Sequence, residues 1–163
     1  MSPAIRFDRL WEYVVERCPW GEESLHGPDH WRRVEANGLT LAAETDADLD
    51  VVRLFALFHD SRRINEGNDP DHGARGAAWA ASLRGALYQL DTPRLTLLVE
   101  ACTHHTGGRR HTDLTIGTCW DADRLDLGRV GMTPQPAYMS TKAGQRLAEA
   151  LSRAARPASR RSR

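Results

Sequence analysis

The stretch LFALFHDSRR, residues 54–63, sets five apolar residues directly before His59-Asp60 and two arginines. A run this apolar belongs in a core, and a helix that is apolar on most faces is a buried one. The doublet follows it without a break, so it begins at the edge of the core. Asp48 or Asp50 can cap the helix at its other end, because a short acidic side chain accepts from the free N–H groups of a first turn.

Working outward from this helix, the flanking segments also carry helical signals. RFDRLWEYVVERC, residues 6–18, spaces Phe7, Leu10, Trp11, Val14 and Val15 as one helix face does. GPDHWRRVEANGLTLAAE, residues 27–44, opens with Pro28, which suits a first helical position. Its apolar residues Trp31, Val34, Leu39 and Leu41 are only roughly periodic. The polar loop INEGNDPD, residues 64–71, precedes an alanine-rich helix expected over 72–90. The segment 91–106, DTPRLTLLVEACTHHT, reads as a helix capped by Thr92, with Pro93 in its first turn. GGRRHTD, residues 107–113, is a loop, and further helices are expected over 115–127 and 141–155. No alternating strand pattern is present. The fold class is all-α, a single domain of six or seven helices over residues 1–152 with no internal repeat.

Bulk properties agree with one soluble domain. The chain has 163 residues, enough to enclose its own core. It has no apolar run near the ~20 residues needed to cross a bilayer, and its N-terminus lacks a signal-peptide pattern. A cytoplasmic location and no membrane partner are expected. Cys18, Cys102 and Cys119 are odd in number and outside any CxxC, which points to reduced thiols rather than disulfides or a thiolate zinc site. Formal net charge is zero, yet residues 153–163 hold five arginines and no acid. A short Arg/Ser/Pro/Ala tail without aromatic residues reads as a disordered terminus, not a nucleic-acid module.

The histidines carry the chemistry. His30 lies one turn into a helix, His59-Asp60 closes the apolar helix, His72 opens the next, and His104-His105 ends another. DADRLD, residues 121–126, adds Asp121, Asp123 and Asp126. Imidazole and carboxylate suit divalent iron, manganese, zinc or nickel. In a helical bundle such donors meet by projecting inward from different helices.

The order His…His-Asp…Asp resembles the HD superfamily of metal-dependent phosphohydrolases, an all-α fold, over roughly residues 24–130. HGPDHWRRV is similar to that family's first motif and implies His30 as a ligand; FHDSRR is similar to the doublet and implies His59 and Asp60. DADRLD resembles the closing motif, with Asp123 as its metal-binding aspartate. HGARGA and THHT resemble motifs of a two-metal branch acting on cyclic dinucleotides. That resemblance implies a second ion on His72 and one or both of His104 and His105, with Asp60 bridging. The chain departs from that branch: no proline follows His72, no glutamate follows His105, and its GYP signature is absent. The resemblance thus implies one or two divalent ions (Mn, Fe, Ni, Co or Zn).

Roles follow from those positions. Asp60 and Arg63 are the catalytic candidates; His26, Arg62, Arg63 and Arg109 are candidates to touch substrate, with Arg110 beside them. Asp121 and Asp126 are expected to lie behind the ligands or face solvent, and His111 to be exposed in its loop. Trp31, Trp79 and Trp120 are expected to serve packing. The expected activity is hydrolysis of a phosphate ester of a nucleotide or small phosphorylated metabolite through a metal-activated water. Two alternatives share the ligand set: a mixed-valence di-iron oxygenase of the HD type, and a non-catalytic metal-stabilised binding module.

Overall fold

The computed structural model describes residues 4–21 and 23–156. Seven α-helices run through them: α1 Phe7–Glu16, α2 Pro28–Thr45, α3 Leu49–Phe58, α4 His72–Leu83, α5 Thr92–His104, α6 Leu114–Arg124 and α7 Lys142–Ala155. Short 3₁₀ turns cover Leu127–Val130 and Pro136–Tyr138. No strand occurs among the described residues, only an isolated bridge between Arg84 and Tyr88. Nor is any described helix long and apolar enough to cross a membrane.

α3 is the axle of the bundle. Val51, Val52, Leu54, Phe55, Ala56, Leu57 and Phe58 are all buried, and α3 touches α2, α4, α5 and α6. Its one polar interior residue, Arg53, lies over the Phe7 ring at 3.7 Å and pairs with Glu35 at 2.7 Å. Asp48, not Asp50, caps the helix through Val51 N–H at 3.0 Å; Asp50 instead meets Arg94 at 2.8 Å. His59 and Asp60 stand just past the last turn and are both buried. The end of α3 thus places the doublet in the middle of the molecule.

The remaining helices come close through small residues. α2 buries His30, Trp31, Val34, Gly38, Leu41 and Ala42, whereas Leu39 is largely exposed. Gly38 completes the stripe that the apolar pattern left irregular: a Cβ there would lie 2.4 Å from Val52 Cγ1. Gly73 and Gly76 do the same for α4. A Cβ on Gly73 would meet the Cys102 carbonyl of α5 at 2.2 Å, and one on Gly76 the Phe58 carbonyl at 2.2 Å. These contacts bring α4 down onto the ends of α3 and α5, beside the doublet.

Several boundaries differ from the sequence expectation. α4 stops at Leu83 rather than running to residue 90. Gly85 takes a left-handed φ of 88°, and the Tyr88 hydroxyl turns back to donate to the Ala80 carbonyl at 2.7 Å. Asp91, not Thr92, caps α5, accepting from Arg94 N–H at 3.0 Å. α7 continues through Ala155, into the segment read as a tail; residues 157–163 lie outside the described residues. The cysteines are free thiols, with Cys102 and Cys119 buried.

Candidate metal centre

Four histidines from four segments converge where α3 ends, and the protons on their rings can be assigned from their partners. His30 Nδ1 is 2.7 Å from Asp126 Oδ2. His59 Nδ1 is 3.1 Å from the carbonyls of Phe55 and Ala56. His72 Nδ1 contacts the Asp69 carbonyl, and His105 Nδ1 is 2.7 Å from the Cys102 carbonyl. Carbonyl and carboxylate oxygens only accept, so each Nδ1 donates and each neutral ring presents the lone pair of Nε2. Yet these Nε2 atoms face one another in pairs, His30 to His59 at 3.1 Å and His72 to His105 at 3.0 Å. Two opposed lone pairs at that distance require a proton or a cation between them.

One carboxylate joins the pairs. Asp60 Oδ2 lies 3.6 and 3.7 Å from His30 and His59 Nε2, while Oδ1 lies 3.0 and 3.6 Å from His72 and His105 Nε2. His30, His59 and Asp60 form one group of converging ligand atoms and Asp60, His72 and His105 a second, each spanning no more than 4.8 Å. Asp123 Oδ1 adds to the first, at 3.3 Å from His30 Nε2 and 3.7 Å from His59 Nε2. This oxygen is buried and has no hydrogen bond, the condition of a ligand atom turned toward an ion. The donors therefore fit a divalent first-row metal: imidazole and carboxylate, with each Nδ1 oriented by an outer acceptor.

The electrostatics are those of a pocket built to take positive charge. Burial pushes the carboxyls of Asp60 and Asp123 up, but the surrounding histidines outweigh it and hold both well below the ordinary carboxylate range. Burial pulls His30 down, yet Asp123 and Asp126 raise it above an ordinary imidazole; Asp60 and Asp123 do the same for His105. His59, fully buried, stays below because desolvation dominates.

The centre opens into a cavity of about 550 Å³, a size suited to a small ligand. His26 lines it and reaches Asp60 Oδ2 through Nδ1 at 3.0 Å. Arg63 and Arg109 line it as well, the first buried and the second exposed. Arg62 does not: it is exposed and lies over Trp79, 4.6 Å from the ring centroid. Arg110 is also outside this cavity, lining a separate depression with His111 and Ser140. His104 is exposed on α5 while His105 points inward, as a step of ~100° per helical residue requires. His111 is only partly exposed, pairing with Glu100 at 3.0 Å.

The three acids of DADRLD separate into three tasks. Asp121 is buried and accepts from Ser140 N–H, Thr141 N–H and Thr141 Oγ1 at 2.6, 2.8 and 2.7 Å, which ties the entry of α7 to α6. Asp123 enters the first cluster, and Asp126 orients His30. Two arginines of the cavity wall were not singled out from the sequence, Arg124 and Arg129. Arg124 donates to the carbonyls of Arg109 and Tyr138, both at 2.7 Å, and to that of Gly108, holding the loop after α5. Arg129 donates to the carbonyls of Leu25 and Asp126, and its Nη2 stands 3.9 Å from Asp123 Oδ1. A signal for it existed: Asp123, Asp126 and Arg129 are spaced by three where the chain tightens into a 3₁₀ turn, in which such residues eclipse.

No family model and no curated protein matches the chain. Among solved structures it is similar to a predicted HD superfamily hydrolase from an uncultured Thermotogales bacterium. The two are 25% identical with a TM-score of 0.75, over 91% of this chain and 86% of the other. In that fold, and in the convergence of His30, His59-Asp60 and Asp123, the chain is similar to the HD superfamily hydrolases.

Proposed function

We propose that the protein is a metal-dependent hydrolase of phosphate esters, acting on a nucleotide or another small phosphorylated metabolite. The observation that carries this is the pair of facing imidazole couples bridged by Asp60, opening onto a cavity walled by arginines. The HD hydrolase similarity supports the same reaction class. His30, His59, Asp60 and Asp123 would hold one divalent ion, and Asp60, His72 and His105 a second. A bound ion supplies a nucleophile at neutral pH by lowering the pKa of water from ~15.7 towards ~7, and it polarises a phosphoryl oxygen.

The chain's own residues do the rest. Asp126 fixes the His30 tautomer, and the carbonyls behind His59, His72 and His105 fix theirs. His26 holds Asp60 Oδ2, so the bridging carboxylate keeps one oxygen toward each cluster. Arg129 is anchored to two carbonyls, which leaves Nη2 to donate to a phosphate oxygen next to Asp123. Arg109 provides a second cation at the rim. Such a wall favours an anionic substrate.

A panel of phosphate mono- and diesters, assayed with manganese, nickel or cobalt, tests the reading. Turnover that disappears on chelation and in Asp123→Ala is expected. No turnover of any ester above the metal-stripped control, or iron bound as purified with oxygen uptake, overturns it.

A further inference from the structure

The two clusters differ in charge. Asp60, Asp123 and Asp126 lie within 4 Å of His30 or His59, whereas Asp60 is the one carboxylate within 4 Å of His72 and His105 among the described residues. The nearby Asp69 carboxylate is occupied by Arg75 Nη2 at 2.5 Å and Ile64 N–H at 2.9 Å. A cation is also built against the poorer cluster. Arg63 Nη1 lies 3.2 Å from both ring nitrogens of His72 and 3.5 Å from Asp60 Oδ1. Equal distances to the two nitrogens set Nη1 over the face of the imidazole, not in its plane, so the His72 Nε2 lone pair stays free.

The guanidinium is fastened there. Its Nη2 donates to the Gly67 carbonyl at 2.7 Å, its Nε to the Asn65 carbonyl at 3.3 Å, and the residue is only 7% exposed. Arg63 thus spends its donors on its own loop and on the cluster, unlike Arg129.

We propose that Arg63 makes metal occupancy unequal: the His30/His59/Asp60/Asp123 cluster takes the first divalent ion, and the fixed guanidinium keeps a second off Asp60/His72/His105 until metal is abundant. The inference rests on the reading of the centre as a metal site. Arg63 is on this account a positioning residue that sets the charge of the second cluster, not a ligand of phosphate. A cation and a divalent ion a few ångströms apart repel even where the protein screens them well.

The test is a manganese titration of the metal-stripped full chain, followed by calorimetry and by the EPR signal of free and bound ion. The wild type should take one equivalent at least ~tenfold more tightly than a second, the size expected of charge repulsion at this range. Arg63→Gln should tighten the second equivalent by about tenfold or more and leave the first nearly unchanged. Arg63→Lys, which keeps the charge and loses the loop contacts, should behave as the wild type; a purely structural role would make the two variants alike. Two equivalents of equal affinity in the wild type overturn the inference, as does a common shift in both variants. If Arg63→Gln does not fold, Arg63→Ala is read in the same way, and a second equivalent that is no tighter in the folded neutral variant than in the wild type overturns the inference. Absence of any bound ion overturns the metal reading together with this one.

Discussion

Replacing Asp126 by asparagine isolates one contact of the centre. The carboxylate accepts from His30 Nδ1 at 2.7 Å and from Arg33 Nε at 2.8 Å, and it touches no other cluster residue. An asparagine carbonyl can still accept from Nδ1, so the ring keeps its tautomer but loses the full negative charge behind it. Loss of such an outer partner costs about 10–100-fold in metal affinity, equivalent to roughly 1.4–2.7 kcal/mol. Because the amide retains the hydrogen bond, the expected loss is near the lower end, about tenfold for the first ion. The Arg33 side chain is about half exposed, and an exposed pair contributes little, so Arg33→Ala should leave the affinity almost unchanged. Calorimetric titration of both metal-stripped variants with manganese reads the difference directly. First-ion affinity that survives Asp126→Asn intact, or falls equally in Arg33→Ala, would refute the assignment of Asp126 as the residue that orients His30.

Further outcomes follow from neighbouring residues. Asp121→Asn should lower stability by about 2 kcal/mol, a fall in Tm of about 4–8 °C, while metal affinity stays unchanged, because that side chain serves α7; thermal unfolding and the same titration separate the effects. Gly73→Ala drives a Cβ into the Cys102 carbonyl, so α4 must shift against α5, costing about 1–3 kcal/mol and weakening binding at His72 and His105; an alanine variant with wild-type Tm contradicts the close approach. Metal affinity should fall as the medium is acidified. His30 and His105 hold protons more tightly than ordinary imidazoles, and an ion must displace them. Below their folded-state pKa values the loss is about tenfold per pH unit for each proton displaced. Calorimetry in buffers of different ionisation heat counts those protons, and an affinity that rises toward acid would contradict the sign.

The fold was legible where a single residue type settled the matter. The apolar length of α3 marked it as interior, and the His-Asp doublet at its end marked the centre. Details that depend on rotation about a helix or turn were not legible. His104 and His105 are equivalent as letters; only the phase of α5 turns one inward. Arg62 and Arg63 differ in the same way, one over Trp79 and the other over His72. The apolar pattern of α2 is only roughly periodic because Gly38, whose value is its missing Cβ, carries no hydrophobic signal, while Leu39 is exposed. Arg124, inside the acidic motif, and Arg129, just past it, gain their roles only from contacts distant in sequence: Arg124 with the loop after α5 and Arg129 with the carbonyl of Leu25.

The bond between His30 and Asp126 spans 96 positions of the chain. On a ribosome, a polypeptide emerging as far as α5 already displays His30, His59, Asp60, His72 and His105, but neither Asp123 nor the brace behind His30. Such a fragment holds only part of the first donor set and lacks the carboxylate that orients His30. The first cluster is therefore complete only once α6 and the turn after it have been made.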